Sequence, residues 1–199
     1  MKAFLALFLA ASAAFTATVP RPAPELAIQM QDGSQTLLSK YRGKTVVLAL
    51  VYTTCPHCQH TSGLLGQIQK EYAAKGVQVL GAAFNDDARG LVPAFSQQYV
   101  KGAFPMGSLE RNTVLEFLQL PVMAQFYVPI LVFVDKAGHI QSQHIGDEDF
   151  FRNQETSIRA EIEKILAKPA ASPRTTTHKT AIHKTTSAVA VNKSVTSSN

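Results

Sequence analysis

Two cysteines, Cys55 and Cys58, are the only ones in a chain of 199 residues, and they stand three positions apart. They occur in the run Tyr52-Thr53-Thr54-Cys55-Pro56-His57-Cys58, directly behind an apolar stretch. Disulfide exchange proceeds through a thiolate, so a redox cysteine has to be reachable and its negative sulfur stabilised. A place for Cys55 where a strand meets a helix would meet the second demand, through the unpaired backbone N–H groups and the dipole of the helix end. Pro56 suits the first helical position, where its missing N–H costs nothing and its fixed φ pre-organises the turn. Cys58 would then lie one turn further in, on the same side and more buried, fit to attack a mixed disulfide at Cys55. We therefore expect Cys55 as the nucleophile and Cys58 as the resolving cysteine. A cationic imidazole at His57 would stabilise the thiolate further, which makes Pro56 and His57 the expected tuning residues.

Three other uses of the pair fit less well. A structural staple across two intervening residues removes little entropy from the unfolded chain. A structural zinc site needs four ligands, and only His57 and His60 lie near in sequence, the first badly placed to bind beside both cysteines. Inert core thiols are at odds with an oxidising compartment, which the N-terminus predicts. There Lys2 precedes the uncharged run Ala3 to Phe15, followed by small residues and Pro20, Pro22 and Pro24. That is the layout of a secretory signal peptide, and the run is shorter than the roughly 20 residues that span a bilayer. The expectation is a signal peptide over 1–18 and export, to the bacterial periplasm.

The elements that must position the cysteines follow from hydrophobic patterning. Thr45 to Tyr52 is a continuous apolar run of the kind a strand buried on both faces needs. A helical pattern runs from Cys55 to about Lys75, with Leu64, Leu65, Ile68 and Tyr72 at helical spacing and Gly76 as its stop. Ahead of these, Leu26 to Met30, the Asp32-Gly33 turn and Thr36 to Leu38 read as a hairpin. Behind them, Val77 to Phe84 is strand-like, Leu91 to Tyr99 and Leu109 to Leu118 read as helices, and Phe104 to Met106 as a short strand. Ile130 to Val134, the turn at 135–138 and His139 to Ile145 form a second hairpin. Ile158, Ile162, Ile165 and Leu166 mark a closing helix. The alternation predicts an α/β domain over 19–168, with a mainly parallel sheet, helices on both faces and an antiparallel hairpin at the end. Asp86 and Asp87 are expected to cap a helix, and His139 and His144 to lie on the surface.

The formal charge of +5 belongs to the C-terminus. Residues 169–199 carry Arg174, Lys179, Lys184 and Lys193 and no acid; without these and Lys2, 14 basic residues face 14 acidic ones. A neutral domain gives no ground for nucleic-acid binding. The tail repeats His-Lys-Thr within a low-complexity Ala/Ser/Thr/Lys composition, so it is expected to be disordered, with at most a weak contact to anionic envelope surfaces.

The cysteine pair behind a strand, and Tyr127-Val128-Pro129-Ile130 before another, resemble a thioredoxin-fold protein. The leader, Pro24-Glu25-Leu26, the Asp32-Gly33 turn and Lys40-Tyr41-Arg42-Gly43-Lys44 are similar to the TlpA/ResA branch and the related AhpC/TSA group, over about residues 24–168. The resemblance implies a thioredoxin-like fold: a central mixed sheet flanked by helices, with an N-terminal hairpin extension. It implies an exported thiol-disulfide oxidoreductase acting on protein thiols and disulfides, regenerated by a redox partner the sequence does not identify, with no cofactor and no metal. It also implies a cis Pro129 against the cysteines, and a Val128 backbone that pairs with an incoming peptide.

The chain departs from its relatives in places. The TlpA/ResA branch often has Glu three residues after the second cysteine, where this chain has Thr61; thioredoxins have a buried Asp six before the first, where it has Ala49. Peroxidases of the AhpC/TSA group place Pro and Thr seven and three residues before the reactive cysteine; here these are Leu48 and Tyr52. That weighs against a thiol peroxidase. A copper-binding module, with Cys55, Cys58 and nearby histidines on Cu(I), is a further alternative; such relatives usually space their cysteines by three residues. Cys-Pro-His-Cys itself is the DsbA-like quartet, so the resemblance leaves the direction of electron flow open.

Overall fold

The computed structural model describes residues 18–146 and 148–168. The expected leader, apart from Thr18, and the expected tail lie outside the described residues. Eight strands form one sheet in the order β1-β8-β7-β4-β5-β6-β2-β3. In chain order they are β1 (Arg21–Pro22), β2 (Ala27–Gln29), β3 (Gln35–Leu37), β4 (Thr45–Val51), β5 (Val77–Ala83), β6 (Met106–Ser108), β7 (Ile130–Val134) and β8 (His139–His144). The helices are α1 (Pro56–Tyr72), α2 (Ala88–Phe95), α3 (Arg111–Leu118) and α4 (Gln154–Ala167).

All seven residues of β4 are buried, as its unbroken apolar run requires. Its side chains alternate between the sheet's two faces. Val47, Ala49 and Val51 join Cys58, Leu65 and Ile68 of α1, Val92 of α2 and Ile158 and Ile162 of α4. Val46, Leu48 and Leu50 join Val114, Phe117 and Leu118 of α3, with Leu26 and Ile28 of the N-terminal hairpin. Helices therefore cover both faces.

The expectation of a mainly parallel sheet is corrected. Only β4–β5 and β5–β6 pair in parallel, while β7 lies antiparallel to β4 and the hairpins pair antiparallel. Side-chain periodicity sets which face a residue occupies but not which way a neighbouring strand runs. The sheet is mixed, and the fold is thioredoxin-like α/β. The short strand expected at Phe104 to Met106 falls two residues later, at β6. The helix expected from Leu91 begins at Ala88 and continues into a π turn over Ser96–Val100. Asp87 occupies the cap position of α2 but makes no side-chain capping hydrogen bond.

β1 adds an unexpected edge strand, pairing Arg21 with Ile140 of β8. The Arg21 guanidinium is buried and donates to the Phe117 carbonyl at 2.8 Å, while Gln143 donates to the Leu118 carbonyl at 3.3 Å. Together they satisfy two carbonyls at the C-terminal end of α3 that have no partner within the helix.

Candidate active site

Cys55 is the N-cap of α1, with extended backbone (φ −86°, ψ 119°), and Pro56 opens the helix. The cap position points its sulfur back over the first turn, where it accepts the Cys58 N–H at 3.4 Å. A sulfur there takes the role that a Ser or Asp oxygen plays at ordinary caps, against the positive end of a 17-residue helix. Cys55 is half-buried, and Cys58 is fully buried among Ala49, Leu65 and Leu131. Both are free thiols in this structure. Burial pushes the Cys58 thiol far above its usual range, because a thiolate in that apolar pocket would lose its hydration.

The second wall comes from the segment before β7. The Val128–Pro129 peptide is cis. The Cys55 thiol lies 3.8 Å from the Val128 carbonyl oxygen, its acceptor. Gly146, just after β8, backs this wall: its N–H donates to the Tyr127 carbonyl at 3.2 Å, and a Cβ there would stand 2.7 Å from the Val128 carbonyl carbon. Tyr127, Val122 and Met123 are exposed on the same segment.

The structure thus brings Cys55, Cys58, Pro56, Val128 and Pro129 together. His57 and His60 are exposed on the outer side of α1's first turn. Thr61 and Ala49, which hold the positions where relatives carry a carboxylate, are buried; the Thr61 hydroxyl donates to Gln154 of α4 at 2.7 Å. Among the described residues no three His, Cys, Asp or Glu side chains converge as metal ligands.

His144 departs from the surface placement expected of it. Its side chain is 21% exposed and stacks on Phe150, with ring centroids 3.9 Å apart, and its Nδ1 lies 3.0 Å from Glu148. The alternating polar pattern of β8 concealed this, because Phe150 arrives from a later turn.

Sequence reasoning missed the groups that hold the loop before Cys55. Asn85, two residues past β5, accepts both the Thr53 N–H (2.9 Å) and the Thr53 hydroxyl (3.2 Å). Gln59 of α1 donates to the Thr53 carbonyl at 3.1 Å. An Asn next to Asp86 and Asp87 reads as ordinary turn chemistry, so the sequence held no signal for it.

Cavities flank the site. One of about 610 Å³ lies between α1 and the start of α4 and includes His60 and Gln154; another, of about 580 Å³, includes Asn85, Asp86 and Arg111; a third, of about 360 Å³, lies between Tyr52 and the segment of Phe126 and Tyr127.

Comparison with known proteins agrees with this architecture. A Chlorobium tepidum protein assigned as the thiol:disulfide interchange protein DsbE is 21% identical, with a TM-score of 0.61 over 74% of this chain and 96% of its own. A Neisseria meningitidis protein assigned as a thioredoxin is 21% identical, with a TM-score of 0.58 over 78% and 97%. The thioredoxin domain of a Bacteroides vulgatus thiol-disulfide oxidoreductase is 18% identical, with a TM-score of 0.58 over 75% and 99%. At these identities the likeness establishes the fold. No curated protein matches the chain. The AhpC/TSA family model matches residues 19–143, which span the N-terminal hairpin, both cysteines and Pro129, and the chain therefore belongs to the AhpC/TSA family.

Proposed function

We propose that this protein is an exported thiol-disulfide oxidoreductase that exchanges disulfides with protein substrates through Cys55 and Cys58. The observation that carries the reading is the graded pair: a half-buried sulfur at a helix N-cap facing the Val128 carbonyl, and a fully buried thiol one turn behind it. The half-buried Cys55 sulfur adjoins the segment that exposes Val122, Met123 and Tyr127, a surface that suits a macromolecular partner.

The chemistry balances in two steps. The Cys55 thiolate attacks one sulfur of a substrate disulfide, the substrate S–S bond breaks, and one substrate thiolate leaves and takes up a proton. Cys58 loses its proton and attacks the Cys55 sulfur, which releases the second substrate thiol and leaves a Cys55–Cys58 disulfide. Two electrons pass from the pair to the substrate; the same steps in reverse oxidise a substrate dithiol. A redox partner restores the starting form. Val128 presents its backbone to the extended segment that carries the substrate cysteine, in the manner of an added strand. Pro56 and His57 set the potential of the pair.

The peroxidase reading is disfavoured by Leu48, buried in β4, and by Tyr52, whose ring packs on Phe84 at 4.7 Å. Export rests on the N-terminal leader, and no helix among the described residues is long and apolar enough to cross a membrane. Envelope contact through the basic tail is part of the same proposal. The test is reduction of insulin or reshuffling of a scrambled protein by the reduced wild type and by Cys55→Ser. Turnover that vanishes in the variant supports the reading; an inactive, fully reduced wild type in both assays refutes it.

A further inference from the structure

Two chain segments meet at the mouth of the site, and one dipeptide touches both. Phe84 and Asn85 follow β5 directly. The Phe84 N–H donates to the Val51 carbonyl at 3.1 Å, which extends the β4–β5 ladder to the start of the cysteine loop. Its ring packs edge-on against Tyr52 at 4.7 Å and at a tilt against Phe126 at 5.9 Å. Phe126 lies two residues before Val128 and sits under the Arg111 guanidinium, 5.4 Å from its centroid. The Asn85 carboxamide takes the Thr53 N–H and hydroxyl and donates to the Asp86 carbonyl at 2.7 Å. Gln59 holds the Thr53 carbonyl from the helix side. The N–H, hydroxyl and carbonyl of Thr53 are thus all satisfied by side chains outside its own loop.

From this we infer that Phe84 and Asn85 are positioning residues that set the two lips of the reactive cleft, Asn85 with Gln59 fixing the lip that carries Cys55, and Phe84 through Phe126 fixing the lip that carries Val128. The inference deepens the exchange reading above and rests on it for its relevance to catalysis. Physically, Thr53 is 7% exposed, so water does not replace a lost Asn85 contact fully. Release of that peptide unit lets the cap residue two positions later drift from the first turn of α1. Small displacements of a reacting atom are costly, since attack needs the sulfur in line with the disulfide bond.

The two lips are separable by substrate size. A small aryl disulfide needs only Cys55 for the step that is read: its thiolate attacks, the aryl S–S bond breaks and a coloured aryl thiolate leaves, after which Cys58 attacks the mixed disulfide at Cys55 and releases the second aryl thiolate. A peptide disulfide needs Val128 as well. Asn85→Ala and Gln59→Leu are each expected to slow attack on the aryl disulfide, and alkylation of Cys55 by iodoacetamide, about tenfold. Phe84→Leu, whose ring also touches Tyr52, is expected to raise KM for a peptide disulfide several-fold more than it slows either of those reactions. Gln69→Leu, remote from the site, is the folding control. Should Asn85→Ala fail to fold, Gln59→Leu probes the same peptide unit from the helix side. Folded Asn85→Ala and Gln59→Leu proteins with wild-type aryl-disulfide and alkylation rates would overturn the inference, as would a Phe84→Leu variant that loses both activities equally. A wild type that reacts with the aryl disulfide, while its variants slow as expected, but that turns over no protein substrate refutes the exchange reading alone.

Discussion

Cys55 stands 3.8 Å from the carbonyl oxygen of Val128, 73 residues further along the chain. The contact joins the N-terminal end of α1 to the segment entering β7, and those elements are neighbours because β7 pairs with β4, the strand that delivers Cys55. Antiparallel β4–β7 pairing places the end of one strand beside the beginning of the other. The Cys55 sulfur and the backbone that faces it are thus products of one sheet register, Leu50 opposite Ile130.

The different burial of the two thiols has a pH signature. Burial raises the Cys58 thiol above its ordinary value of 9.0, whereas in the unfolded chain it titrates near that value. Above that pH the unfolded state holds fewer protons than the folded one. The stability this group confers is complete below about pH 9 and is lost as pH rises further, by about 1.4 kcal/mol per unit. Urea titrations of the reduced protein between pH 8 and 10.5 should show this alkaline decline, and it should shrink in Cys58→Ala. Iodoacetamide should label Cys55 and spare Cys58 in the folded protein.

Gly146 is required for space. A methyl group there would stand 2.7 Å from the carbonyl carbon and 2.8 Å from the oxygen of Val128, both backbone atoms. Gly146→Ala should destabilise the domain by about 1–3 kcal/mol, the usual cost of overpacking, and should also slow peptide-disulfide exchange by moving the Val128 carbonyl. Denaturant melts and exchange rates on the same sample check both effects.

Stability and exchange should separate at Gln69. β6 pairs with β5 only over Gly81–Ala83, so β5 enters the sheet with no strand on that side. The Gln69 carboxamide fills the gap, accepting the Val79 N–H at 2.6 Å and donating to the Val77 carbonyl at 3.3 Å. Gln69→Leu should cost about 1–3 kcal/mol by leaving buried backbone groups unpaired. Exchange rates measured well below its melting temperature should stay at the wild-type level.

How far the sequence led depended on the range of the interaction. The unbroken apolar run of β4, the helical spacing in α1 and the stop at Gly76, which adopts φ 82°, are local signals and could be read directly. The place of Cys55 at the end of α1 was legible for the same reason, since a helix N-cap followed by Pro56 is a short-range pattern. Pro129 was legible only through family resemblance. Asn85, Gln59 and Gly146 were not, because each acts on backbone atoms of another segment and leaves no periodicity behind. The mixed order of the sheet was legible only through the same resemblance, since pairing direction is settled by contacts between distant strands and periodicity does not carry it.

The central claim is that Cys55 attacks and Cys58 resolves. Its most direct measurement is mass spectrometry of Cys58→Ala after incubation with a disulfide-bonded protein substrate, without reductant. The account predicts a stable one-to-one mixed disulfide at Cys55, absent from Cys55→Ala and released by wild type. A folded Cys58→Ala protein that forms no such adduct, or a Cys55→Ala protein that forms one at Cys58, would contradict it.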